Sequence, residues 1–249
     1  MALFWLSDEA WVVIEPHLPK NQPGARRVDD RRVISGIVHM LKCGGRWADC
    51  PSEYGAATTV YNRWNRWSRR GIWTRILGAL TEEGWIAETG QIDSSYIKAH
   101  RSAGGAKGGR GNAIGISRGG RTTKIHALVD VLGRPLRLVL TPGNTSDVKG
   151  ADMLIGENIG MKRVIADRGY DANRIRASLR EQGTIPVIPG RRNRKRPIQY
   201  DERRYKDRWR VEAMFCRLKD FRRVATRYDK LARNFLSAVS LAAAIAFWL

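Results

Sequence analysis

Three carboxylates in this chain are placed where they could do chemistry. Asp93 lies in Ile92-Asp93-Ser94-Ser95-Tyr96, Asp167 directly follows the apolar run Val164-Ile165-Ala166, and Glu212 comes 45 residues later, in a segment that also carries Tyr205, Arg208 and Lys219. The first two read as residues on, or at the end of, strands expected to be central, and the crevice outside strand ends is where ligands bind in open α/β sheets. An acidic pair in a strongly basic domain invites a hard divalent cation with oxygen ligands. At about 100° per residue, Tyr205, Arg208, Glu212 and Lys219 share one helical stripe about 60° wide. Val211, Met214, Phe215, Leu218 and Phe221 fill the neighbouring arc, so Glu212 is expected beside the edge that packs on the sheet. The plainer alternatives are an aspartate that forms a turn or caps a helix, and an i, i+4 pair of Arg208 with Glu212 worth only about 0.2–0.5 kcal/mol.

The elements that must position these groups fall into two parts. Residues 1–80 read as short helices: Ser7 caps a segment from Asp8 to Glu15 ended by Pro16, and a second helix follows Asp29 and Asp30 and stops at Gly44-Gly45. A third helix opens at Thr58 and carries Val60, Tyr61, Trp64 and Trp67 with Arg63, Arg66, Arg69 and Arg70, the outline of a helix-turn-helix. The same pattern fits a helical domain whose tryptophans are core and whose arginines are solvated. Residues 81–90 read as a linker. From about residue 91 the period becomes that of strands: 91–99, 124–131 and 136–140, the last two joined by a Leu132-Gly133-Arg134-Pro135 turn. Helix 147–159, strand 163–166, helix 173–181, strand 184–188, a long helix from 201 and a last helix from 230 complete an α/β domain around one mixed sheet, residues 91–249.

Charge points to the partner. Lys and Arg number 45 against 24 Asp and Glu, a net charge of +21, which implies a polyanion. Residues 101–249 carry 32 basic and 13 acidic side chains, so the excess lies in the second part, where arginine suits bidentate phosphate recognition. Ser102–Gly120 holds eight glycines among 19 residues, with Lys107, Arg110 and Arg118, and lacks the GxxxxGK[ST] pattern, so it reads as a basic loop and not a nucleotide P-loop. The run Arg191-Arg192-Asn193-Arg194-Lys195-Arg196 reads as a phosphate-backbone track or a solvated loop. Cys43, Cys50 and Cys216 make neither a disulfide framework nor a CxxC pair, and His17, His39, His100 and His126 make no zinc grouping. The longest apolar run, Phe235–Leu249, has 15 residues including two serines, short of the roughly 20 a spanning helix needs. With Asp8 and Glu9 interrupting the first stretch, the expectation is a cytoplasmic protein without a membrane segment.

Tyr205-x2-Arg208-x3-Glu212-x6-Lys219 resembles in full the Y-(2)-R-(3)-E-(6)-K signature of DDE transposases of bacterial insertion sequences, four/five superfamily. Asp167-Arg168-Gly169-Tyr170 and Ile92-Asp93-Ser94-Ser95 resemble that family's two aspartate motifs. The segments 114–126 and 132–136 and the N-terminal helices are similar to the insertion-sequence-five group. The spacing of Asp167 and Glu212 leaves no room for the large β insertion of some relatives. The resemblance implies an RNase H-like core in which Asp93, Asp167 and Glu212 hold two Mg²⁺ ions, with Mn²⁺ expected to substitute. Such a pair suits phosphodiester displacement, activating the attacking oxygen and stabilising the leaving one. Water would free a 3′-hydroxyl at each element end, and that hydroxyl would attack target DNA. Tyr205, Arg208 and Lys219 would position DNA, with Arg118, Arg121 and Lys124 as further backbone contacts, and synapsis of two ends implies a dimer on DNA. A nuclease of the same fold and a catalytically silent DNA-binding relative remain open. A covalent recombinase is disfavoured, because Tyr96, Tyr170 and Ser94 lack the Arg/His-rich surroundings of an activated nucleophile.

Overall fold

The computed structural model describes residues 2–20, 29–84, 88–104, 112–156 and 160–249. Helices α1 (Asp8–Ile14), α2 (Asp30–Cys43), α3 (Ala57–Arg69) and α4 (Ile72–Gly84) come first. Ser7 and Asp29 cap the first two by accepting the amides of Ala10 and Arg32. Pro16 does not end the first helical stretch; it continues as a 3₁₀ turn, Glu15–His17, because proline at a first-turn position removes no needed donor. Trp64 and Trp67 both pack on Trp73, with ring centroids 5.7 and 5.2 Å from it, and Arg63 is buried in an ion pair with Asp30. The tryptophans of this region are therefore core, while Arg66 and Arg69 face solvent.

The sheet comprises β1 (Thr89–Ala99), β2 (Gly115–Ser117), β3 (Gly120–Val129), β4 (Pro135–Pro142), β5 (Arg163–Ala166), β6 (Ile185–Val187) and β7 (Thr226–Arg227). Its order is β2-β3-β1-β5-β6, with β4 also on β3 and β7 on β1. β1, β3 and β4 run antiparallel in turn, while β5 and β6 are parallel to β1 and to each other. Helix α5 (Asp147–Ile155) and α6 (Asn173–Glu181) serve the parallel half. The 3₁₀ turn Arg101–Gly104 and β2 occupy part of what reads in sequence as a basic loop; Lys107 and Arg110 lie outside the described residues, as do 157–159 at the end of the expected helix 147–159. Of the expected linker, 81–84 belong to α4 and 89–90 to β1, and 85–87 are outside the described residues.

The expected long helix from residue 201 is broken into α7 (Glu202–Tyr205), a 3₁₀ turn (Lys206–Arg208), α8 (Trp209–Lys219) and α9 (Arg222–Ala225), before α10 (Ala232–Phe247). One hydrophobic cluster joins α1–α4, α8, α9 and α10 with Ile97, Ile125, Ala127 and Val129 of the sheet. A second, on the other sheet face, joins Ile92, Leu128, Ala151, Leu154, Val164 and Ile175. Because successive strand residues point to opposite faces, β1 presents Gln91, Asp93, Ser95 and Ile97 to α8 and Ile92, Ser94 and Tyr96 to α5. No helix among the described residues is long and apolar enough to cross a membrane, and α10 packs its apolar length on α4, α3 and β4.

Helix α5 approaches β3 closely. A Cβ at Gly150 would fall 2.1 Å from His126 Nδ1, so only glycine lets the helix seal that fully buried ring, whose Nε2 lies 2.8 Å from Thr141 Oγ1. Burial pushes the imidazole down to about 4 from its ordinary 6.5. A depressed folded value means the unfolded chain binds the proton first, so stability falls as pH drops from about 6.5 to 4, by about 3 kcal/mol in all. Urea denaturation across that range is expected to show the slope in the wild type and a shallower one in His126→Asn. Equal slopes would refute the assignment.

Candidate active site

β1 and β5 lie side by side and parallel, with Ile92 opposite Ala166. Asp93 and Asp167, each the next residue, therefore emerge at one point of the sheet. Asp93 Oδ1 accepts the Ser94 amide at 2.7 Å. Asp167 caps the 3₁₀ turn Arg168–Tyr170, its Oδ1 accepting the Gly169 amide at 2.8 Å. A Cβ at Gly169 would stand 2.9 Å from that same oxygen, so the turn closes over the carboxylate only with glycine.

Helix α8 crosses the Asp93 face of β1 and is tied to it near both ends. The buried Gln91 side chain accepts the Val211 amide at 3.2 Å, one of the first-turn donors that a helix leaves unpaired. Lys219 Nζ donates to Ser95 Oγ at 2.7 Å. Glu212 lies between these ties with its side chain 53% exposed. Arg208, in the 3₁₀ turn, donates from Nη1 to Asp93 Oδ2 at 2.6 Å and from Nη2 to Glu212 Oε1. One guanidinium thus bridges two carboxylates 119 residues apart in sequence, and the helical i, i+4 pair is only half of its engagement. Tyr205, expected beside DNA, is half-buried edge-to-face with Tyr200 at 5.5 Å. Burial pushes the Asp93 carboxyl up; the Ser94 amide and Arg208 oppose this, and the charge of Asp167 adds to it.

The opposite face of the same strand carries a network that sequence reasoning missed. Ser94 Oγ donates to Asp147 Oδ1 at 2.6 Å, and Lys124 Nζ donates to the same oxygen at 2.9 Å and to Thr145 O at 2.8 Å. Burial opposes the charge on both partners, but the hydrogen bonds of Ser94 and Lys124 hold the Asp147 carboxyl below its ordinary value, and that to Asp147 holds the Lys124 ammonium above its own. Lys124 is only 2% exposed, so this residue, expected to touch the DNA backbone, is engaged inside the protein instead. Arg118 and Arg121 are exposed, Arg118 beside a cleft and Arg121 against Gly104. Asp147 follows Ser146 at a helix start, where an acid is an ordinary complement to the helix dipole, and that is the only signal it gives in sequence.

Among the described residues no group of three or more His, Cys, Asp or Glu side chains is arranged to hold a metal ion. The donor chemistry nevertheless fits a hard divalent cation: carboxylate oxygens converge where the fold has placed a positive group, the Arg208 guanidinium, between Asp93 and Glu212.

Residues 6–77 match the family described as putative transposase of the IS4/5 family, and residues 86–247 match the transposase DDE domain. The chain is 40% identical, over 51% of its length and 98% of the relative's, to a putative transposase for insertion sequence element IS6501 of Brucella ovis. It is 33% identical, over 51% of its length and 63% of the relative's, to a putative transposase for insertion sequence element IS402 of Burkholderia cepacia. Among solved structures, a piggyBac transposase synaptic complex with hairpin DNA superposes with a TM-score of 0.51 at 12% identity, covering 95% of this chain and 69% of that one. The mixed sheet and the helices packed on it thus have an RNase H-like fold, with a helical part ahead of it, and a DDE domain works with a divalent metal. The chain belongs to the DDE transposases of the IS4/5 family and is an enzyme of DNA transposition.

Proposed function

We propose that Asp93, Asp167 and Glu212 are the catalytic carboxylates of this transposase, that together they hold two Mg²⁺ ions, for which Mn²⁺ substitutes, and that the protein cuts insertion-sequence ends and joins them to target DNA as a dimer in the cytoplasm. The observation that carries this reading is the bridge of Arg208 between Asp93 and Glu212, with Asp167 on the strand beside Asp93. Carboxylates gathered this closely repel one another and call for a cation. When bound, the metal pair activates the attacking oxygen and stabilises the leaving one.

The chain's own residues do the rest. The Ser94 and Gly169 amides fix one oxygen of each aspartate, leaving the other oxygens for ligation. Gln91 and Lys219 hold α8 in register on β1, so Glu212 shares Arg208 with Asp93. Asp93 and Glu212 would hold a cation in place of their contacts with Arg208, whose guanidinium fork is suited to a DNA phosphate. Residues 1–80, with exposed Arg66 and Arg69, supply DNA binding ahead of residues 91–249, which supply catalysis. Exposed Arg118 and Arg121, with Tyr205 and Lys219, provide further contacts to DNA.

The test is a labelled duplex carrying the element's own end, incubated with Mg²⁺ and wild type or Glu212→Gln at equal binding. Cleavage leaving a 3′-hydroxyl, joining to a second duplex, and loss of both in the variant are expected. Cleavage without joining would make the protein a nuclease, and binding without cleavage in Mg²⁺ or Mn²⁺ would make it a silent DNA-binding relative.

A further inference from the structure

A cleft of about 820 Å³ opens on the α5 face of the sheet, across β1 from Glu212 and outside the carboxylate site. Its wall is Tyr96, an aromatic ring 54% exposed on the central strand of the sheet. The ring is backed by a cation: Lys124 Nζ lies 4.5 Å from its centroid, held there by Asp147 and the Thr145 carbonyl. Lys98, two residues along β1 and on the same face, and Arg118, in the β2–β3 turn, add exposed positive charge to the lining. Arg191 is fixed at another side, donating to the carbonyls of Arg168 at 3.3 Å and Gly169 at 3.0 Å. A guanidinium has five N–H donors, and two carbonyls do not exhaust them.

The cleft also leads to the reacting centre. Gly169 is part of its lining, and a side chain there would stand between Asp167 Oδ1, at 2.9 Å, and Asp147 Oδ2, at 3.4 Å. With glycine, that position is open on the cleft side of Asp167. A ring available for stacking with cations spaced around it is the chemistry that binds unpaired nucleotides: the base stacks on the ring and the phosphates pair with the cations.

We propose that this cleft takes the single-stranded flank of a cut or frayed DNA end, with one base stacked on Tyr96 and its phosphates on Lys98, Arg118 and Arg191. The inference rests on the reading of the protein as an end-cutting transposase, but concerns a site apart from its carboxylates. The probes are a blunt duplex of the element end and the same duplex with a short single-stranded flank containing 2-aminopurine, both titrated in EDTA. Wild type is expected to bind the flanked duplex at least about fivefold more tightly and to change the 2-aminopurine fluorescence by stacking. Tyr96→Ala is expected to lose the advantage and the fluorescence change while binding the blunt duplex as before, and Tyr96→Phe to keep both. An equal loss on both duplexes, or a wild type indifferent to the flank, would overturn the proposal. A protein that cuts and joins ends without any flank preference would overturn the cleft alone. A flank preference in a protein that never cuts would leave the cleft standing and remove the catalytic reading.

Discussion

Asp93→Asn is expected to slow Mg²⁺-dependent end cleavage by about three orders of magnitude or more, roughly 4 kcal/mol in the barrier, and to leave the fold intact. The amide keeps the size of the carboxylate and an oxygen to accept the Ser94 amide, so β1 need not move. What disappears is the charged oxygen that meets Arg208 at 2.6 Å and would ligate a cation beside Asp167. The effect on stability should be small for two reasons. Burial already pushes this carboxyl toward its neutral form, and Arg208 keeps Glu212 as a partner. Single-turnover cleavage on gels, with binding matched by anisotropy, measures the first effect; urea denaturation measures the second. Cleavage within tenfold of wild type would remove Asp93 from the site.

Asp171→Asn should have the opposite character, costing about 3 kcal/mol of stability because it strands the buried Arg176 and takes a partner from the half-buried Arg194. The Asp171 carboxylate is fully buried and accepts from Arg176 Nε at 2.9 Å, from Arg194 Nε and Nη2 at 2.6 and 2.7 Å, and from the Arg191 amide at 2.8 Å. Burial alone would raise its pKa, but the hydrogen bonds from Arg194, the Arg191 amide and Arg176 outweigh it and hold the group well below the usual carboxylate range. A depressed folded value stabilises above the unfolded pKa near 3.9 and is lost as pH falls through and below it. The urea midpoint of the variant should therefore fall at pH 7, and its deficit should shrink in acid. A loss under about 1 kcal/mol at pH 7 would show that the arginines tolerate an uncharged partner. The loss would also reach function, because Asp171 fixes the turn that bears Asp167.

Much of this was legible in the residues. Apolar runs closed by turn residues gave β5 and α6 with the bounds observed, since Val164-Ile165-Ala166 has no other use than a buried strand. Asp93, Asp167 and Glu212 stand out as candidates through spacing and the family signature alone. Other features depend on distant contacts. The interruption at Lys206–Arg208 carries no glycine or proline to mark it in the sequence, and Arg208 meets an aspartate 115 residues away. Thr226–Arg227 joins the sheet as β7 only because β1 is long enough to receive two more residues at its end. Lys124 reads as one more exposed base on a strand, and only the position of α5 shows it to be buried over Asp147.

The bridge of Arg208 between Asp93 and Glu212 has a thermodynamic consequence. Any cation that enters between those carboxylates must first displace a tethered one, so the affinity of the free protein for metal is lowered by the free energy of that bridge. A phosphate that captures the released guanidinium returns part of this cost. On the proposed reading, in which Arg208 meets a DNA phosphate, metal and DNA would each raise the affinity of the protein for the other by the same factor, as linkage requires. On that reading the transposase would be an AND gate, in which an ion pair within the protein sets how strongly one input waits for the other.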